Sequence, residues 1–163
     1  MTQRQSESET SSRIWRALSQ VSDPELPVLS IVDLGIVRYV DCEDESAPRV
    51  GITPTYSGCP ATELIRTAVQ GALAAAGYAD AVVEEVLSPP WTTEWLTEEG
   101  RRKLAAFGIA PPVDSAHRPS ASIACPRCAS HNTRLVSAFG STPCKAHYRC
   151  ESCREPFDYF KCL

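Results

Sequence analysis

The stretch T-P-T-Y-S-G-C-P-A-T, residues 53–62, joins two different kinds of segment. Before it, Arg49 to Thr53 is rich in β-formers. After it, residues 61–76 repeat Leu64, Ile65, Ala68, Val69, Leu73 and Ala76 at helical spacing, and Gly77 suits the stop. Gly58 permits an unusual backbone turn, and Pro60 is favoured at a first helical position. This reading places Cys59 at the N-cap, where the positive end of the helix dipole stabilises a thiolate. Cys59 is then either a small thiol plugging the strand–helix junction or a reactive or metal-binding group. Spacing alone does not separate the two. Thr55, Ser57 and Thr62 could line such a site or simply cap the turn.

Working outward, elements alternate. Residues 12–21 put Ile14, Trp15, Leu18 and Val21 on one helical face, with Ser11 or Ser12 as N-cap. D-P-E-L-P follows, and its prolines end the helix. Leu34 to Cys42 and Arg49 to Thr53 are expected as strands joined by the acidic turn E-D-E-S-A-P. Ala81 to Leu87 is expected as a third strand. Leu96 to Phe107 reads as a helix capped by Thr97, with Glu98 and Glu99 in its first turn and Gly108 ending it. The order α-β-β-α-β-α predicts an α+β domain, a small mixed sheet with flanking helices. Asp23 and Glu25 flank Pro24 on a rigid turn. They could hold a metal or orient a thiol, or be a solvated cap.

The chain has 163 residues, 43% of them hydrophobic, enough for a core. No apolar run approaches a membrane span, and the polar start M-T-Q-R-Q-S-E-S-E-T has no signal-like apolar region. Residues 1–11 read as a disordered tail, 12–109 as the α+β domain, 110–122 as a Pro- and Ser-rich linker, and 123–163 as a small C-terminal β domain. The net charge of −4 divides into −7 over residues 1–110 and +3 over residues 111–163. An acidic body argues against nucleic acid as its partner.

Six of the eight cysteines lie in the last 39 residues. C-P-R-C (125–128) and C-E-S-C (150–153) are spaced like the knuckles of a four-cysteine zinc ribbon, in which Cys125, Cys128, Cys150 and Cys153 hold one Zn²⁺. Without an export signal, a reducing cytoplasm favours metal or thiol chemistry over disulfides. An iron–sulfur or redox role for the same four sulfurs, and disulfides, stay open. Ser137–Phe139 and Tyr148–Arg149 are expected as strands, with Phe157, Tyr159 and Phe160 beneath. Cys144 and Cys162 are left over, as buried thiols or as alternative ligands. His117 and His131 have no partner at ligand spacing, and His147 reads as a surface strand residue. The chain has no Glu-x-x-His pair and no Gly-rich phosphate loop.

D-P-E-L-P-V-L-S-I-V-D-L-G-I-V (23–37), T-P-T-Y-S-G-C-P-A (53–61) and S-P-P-W-T-T-E-W (88–95) resemble the domain shared by the iron–sulfur assembly family. The tail S-A-F-G-S-T-P-C-K-A-H-Y-R-C-E-S-C-R-E-P-F-D-Y-F-K-C (137–162) narrows the resemblance to the D-subunit family of bacterial phenylacetyl-CoA epoxidase systems. These are multicomponent di-iron oxygenases of aerobic phenylacetate breakdown. The resemblance implies an accessory maturation protein without the oxygenase active site. It implies epoxidase subunits as partners, among them the iron–sulfur reductase component. It also implies that Cys59 is the functional thiol, carrying a transient iron–sulfur cluster, with Asp23 and Glu25 beside it. A homodimer is expected, and neither a membrane nor a nucleic-acid partner. The competing readings are a structural or regulatory subunit that docks through its ribbon, a nucleic-acid-binding ribbon, and a thiol enzyme.

Overall fold

A computed structural model describes residues 2–113 and 122–161. The expectations for Cys162, His117 and most of the linker lie outside the described residues. The chain divides into two compact units, Met1–Trp91 and Thr92–Leu163.

The first unit is a three-stranded mixed sheet with two helices. Its elements are α1 (Thr2–Leu18), β1 (Val37–Asp41), β2 (Arg49–Ile52), α2 (Thr62–Ala75) and β3 (Val82–Glu85). The sheet order is β1-β2-β3. β1 and β2 are antiparallel across the acidic turn, while β2 and β3 are parallel because α2 carries the chain back between them. As the central strand, β2 buries Val50, Gly51 and Ile52. Ile14 and Leu18 of α1, Val69 and Leu73 of α2, and Leu29, Ile31 and Leu34 from the β1 approach are almost fully buried. Each such side chain contributes about 2 kcal/mol of transfer free energy. The indole N–H of Trp91 donates to the Leu34 carbonyl at 2.8 Å, so the last residue of the unit is tied to its core.

Several expectations shift. α1 takes in residues read as a tail, and Ser11 and Ser12 lie inside it instead of capping it. No proline or glycine interrupts residues 2–18, so nothing local stops the helix there. Trp15 is 36% exposed and Leu64 63% exposed. The buried stripe of α2 is Ile65, Val69 and Leu73 alone, one residue round from Leu64. β1 begins at Val37 because Gly35, at φ +67°, closes a turn after Ile31.

The second unit holds α3 (Glu98–Phe107), β4 (Ile109–Ala110), β5 (Thr133–Ser137), β6 (Lys145–Cys150) and β7 (Pro156–Phe160), preceded by a 3₁₀ turn at Thr93–Trp95. The sheet order is β4-β7-β6-β5. Thr97 caps α3 through the Gly100 N–H at 3.0 Å, and Gly108 ends it at φ +90°. The sequence reading grouped α3 with the preceding domain. The helix lies in the second unit, packed against β4, and β4 pairs in parallel with β7. The start of the Pro-rich segment is therefore part of a sheet. The first strand after the knuckle lies earlier than expected, at Thr133–Ser137 instead of Ser137–Phe139, the second extends to Lys145–Cys150, and Phe139 is exposed under the Lys161 ammonium. Phe157, Tyr159 and Phe160 are buried as expected.

Candidate functional site

Each unit presents one site. In the first, the chain leaves the end of β2 through two tight turns. The Cys59 N–H donates to the Tyr56 carbonyl, and the Thr62 N–H donates to that of Cys59, both at 3.2 Å. The first regular helical bond runs from the Ile65 N–H to the Ala61 carbonyl. Ala61, not Cys59, is thus the N-cap. The thiol sits two residues earlier, half-buried, because the turns consume Gly58 to Ala61 before the helix begins.

This places Cys59 in a small pocket with Asp23, Thr53, Thr55 and Thr62, walled by Ile36, Ile52, Pro54 and Ile65. The cavity is about 10 Å³, room for one water-sized group. The D-P-E turn reaches it because residues 22–30 fold back on themselves. The Asp23 N–H donates to the Leu29 carbonyl, and Ser22 bridges Ser30. Asp23 is 93% buried, and its Oδ1 accepts the N–H groups of Glu25 and Leu26, both at 2.8 Å. The structure therefore brings Asp23, Thr55, Thr62 and Cys59 together. It leaves Glu25 and Ser57 outside the lining.

Sequence reading passed over Thr53. It directly follows β2, its N–H donates to the Ile36 carbonyl, and it is 2% exposed. Its hydroxyl is buried without a hydrogen-bond partner. The one available signal was positional, since sites in mixed sheets gather at the carboxyl ends of parallel strands.

In the second unit, the ligand sulfurs of Cys125, Cys128, Cys150 and Cys153 all lie within 4.8 Å of one another. Two of the separations are 3.8 Å (Cys125–Cys153) and 3.6 Å (Cys128–Cys150). A disulfide needs about 2.05 Å. Around a tetrahedral ion with bonds of about 2.3 Å, neighbouring sulfurs are about 3.8 Å apart. The four fit a single ion, whereas a multi-iron cluster, which divides its four cysteine sulfurs among two or four irons, needs them spread wider. The N–H groups of Cys153 and Ser152 hold the metal-free Cys150 thiol down to about 6. The Glu155 N–H acts in the same direction on Cys153, but desolvation and the sulfurs of Cys150, Cys128 and Cys125 outweigh it and push Cys153 up to about 12. Cys144 is buried beside the Thr142 hydroxyl at 3.1 Å and is not among the four. His131 bonds to Ser122, and His147 to Asp158.

Two sequence profiles match the chain: an iron-sulfur cluster assembly protein over residues 11–86 and the PaaD zinc beta ribbon domain over residues 109–161. A protein of Escherichia coli K12, described as the D subunit of a "putative 1,2-phenylacetyl-CoA epoxidase", is 53% identical over 153 residues, which are 92% of each chain. The chain belongs to this D-subunit family. The assembly half of such a protein also has free-standing relatives. The Fe-S protein maturation auxiliary factor YitW of Bacillus subtilis is 39% identical over 97 residues, 59% of this chain and 91% of that protein. A crystal structure of a domain of unknown function, DUF59, from Bacillus anthracis superimposes with a TM-score of 0.58 at 27% identity, covering 62% of this chain and 96% of that one. The α+β domain and the ribbon are thus the two parts of the D-subunit family. Among the described residues no helix is long and apolar enough to cross a membrane.

Proposed function

We propose that this protein is an accessory maturation factor of phenylacetyl-CoA epoxidase, working in the cytoplasm. In this reading it assists assembly of an iron or iron–sulfur centre in a partner subunit, the iron–sulfur reductase component being the foremost candidate. Cys59 is the working thiol and Asp23 its neighbour. The observation that carries this reading is the pocket itself, in which a half-buried thiol meets a buried carboxylate in a space of about 10 Å³. Pockets for drug-sized organic ligands run to about 300–1,000 Å³. A site this small suits an ion or a single transferred atom. The assembly-protein profile over residues 11–86 points the same way. In the ribbon, Cys125, Cys128, Cys150 and Cys153 would hold Zn²⁺, which supplies folding free energy to the small sheet.

The test is Cys59→Ser in cells whose epoxidase depends on this protein. Epoxidase activity and the cluster content of the reductase both fall to the level of cells that lack it, while the variant accumulates normally. If both stay at wild-type levels, Cys59 has no part in maturation. That result would favour a protein that acts by docking through its ribbon.

A further inference from the structure

We propose that Asp23, Thr53 and Cys59 form a binding site for one divalent transition-metal ion, ferrous iron in the cell, carried singly as cargo. The identity of the ion rests on the maturation reading above. The existence of the site rests on the pocket.

Three features of the pocket ask for a cation. First, the Thr53 hydroxyl is buried and unpartnered. Leaving such a group unbonded costs about 1–3 kcal/mol, and folded proteins keep few of them without a use. Second, Asp23, which lines the pocket, is a buried carboxylate whose Oδ1 is occupied by two backbone N–H groups, so Oδ2 is its remaining donor atom. A buried carboxylate normally meets a positive partner, yet among the described residues no lysine, arginine or histidine lines this cavity. Third, Cys59 adds a sulfur donor to the same lining.

A set of carboxylate oxygen, hydroxyl oxygen and thiolate sulfur is too soft for Mg²⁺ or Ca²⁺. It also has too much oxygen for Cu(I), so it suits borderline divalent ions. One carboxylate and one thiolate offset the two charges of the ion, so the filled pocket is neutral. Binding releases the thiol proton to solvent as the sulfur–metal bond forms, and no electron is transferred. Size sets the stoichiometry. A cavity of about 10 Å³ suits one ion.

The experiment is an oxygen-free titration of the full chain, its ribbon loaded with zinc, using Co²⁺ as the probe and measuring retained zinc in parallel. One Co²⁺ binds per chain with a thiolate-to-metal charge-transfer band, and zinc stays in place. Cys59→Ser abolishes the band. Asp23→Asn, which keeps an Oδ1 acceptor for the turn, weakens binding at least about tenfold, as does Thr53→Val, both with unchanged circular dichroism. No band in the wild type, or unchanged affinity in either variant, overturns the three-donor site. So does protein isolated without air that carries iron with equimolar sulfide at Cys59. The two readings fail separately. A missing Co²⁺ site with maturation still lost in Cys59→Ser sinks only the ion pocket. An intact site with maturation unaffected by Cys59→Ser sinks only the maturation role.

Discussion

Asp23 carries a structural duty as well as a place in the pocket. Two N–H groups converge on its Oδ1 and fix the turn that brings it beside Cys59. Asp23→Ala removes the acceptor of both bonds, and we expect it to cost about 1–2 kcal/mol, read as a lower urea midpoint for the first unit. Asp23→Asn keeps the oxygen and should cost clearly less. Much of this site was legible at the residue level. The glycine and proline around Cys59 announced a special turn, and the D-P-E turn announced a fixed carboxylate. Thr53 was not legible, because what marks it is a bond it fails to make, a property of tertiary placement. The offset of Cys59 from the cap was hidden for a similar reason. Two successive tight turns and a regular helix start draw on the same glycine and proline.

At the scale of elements, α3 was readable and β4 was not. Thr97, the glutamates of the first turn and Gly108 are local signals, and each does in the structure what its chemistry suggests. β4 has two residues and no periodicity to detect. It exists because β7, far along the chain, offers it a free edge. That pairing draws α3 into the second unit, although the Pro- and Ser-rich composition of residues 110–122 points to a boundary after the helix. Gly108 adopts φ +90°, where a Cβ is strained. Gly108→Ala should therefore destabilise the second unit by about 1 kcal/mol, while Gly71→Ala, inside α2, should be neutral or stabilising. Urea unfolding followed by tryptophan fluorescence and amide exchange checks both.

At the scale of the whole molecule, the two units answer to different forces. The first rests on a hydrocarbon core, while the second has a smaller one built around two of its own metal-ligand candidates, Cys125 and Cys150. Chelating the metal should abolish slow amide exchange in β5, β6 and β7 and leave α2 protected, as two-dimensional NMR can show. Metal uptake should also follow pH with a definite sign. In the metal-free ribbon Cys150, at about 6, is already a thiolate at neutral pH. Cys128 and Cys153 are pushed above the ordinary thiol range, so both are still protonated there. Zn²⁺ must displace at least those two protons, so its affinity should rise at least about a hundredfold per pH unit between about pH 6.5 and 8, and acid should release it. A competition titration with a chromophoric chelator measures that slope. The parallel pairing of β4 with β7 also sets a timetable for biosynthesis. The first unit is complete once Trp91 has left the ribosome and can fold while translation continues. β4 must wait, with its backbone unpaired, until Phe160 has been added. The second unit thus matures after the first, when its four candidate ligand sulfurs have all been made.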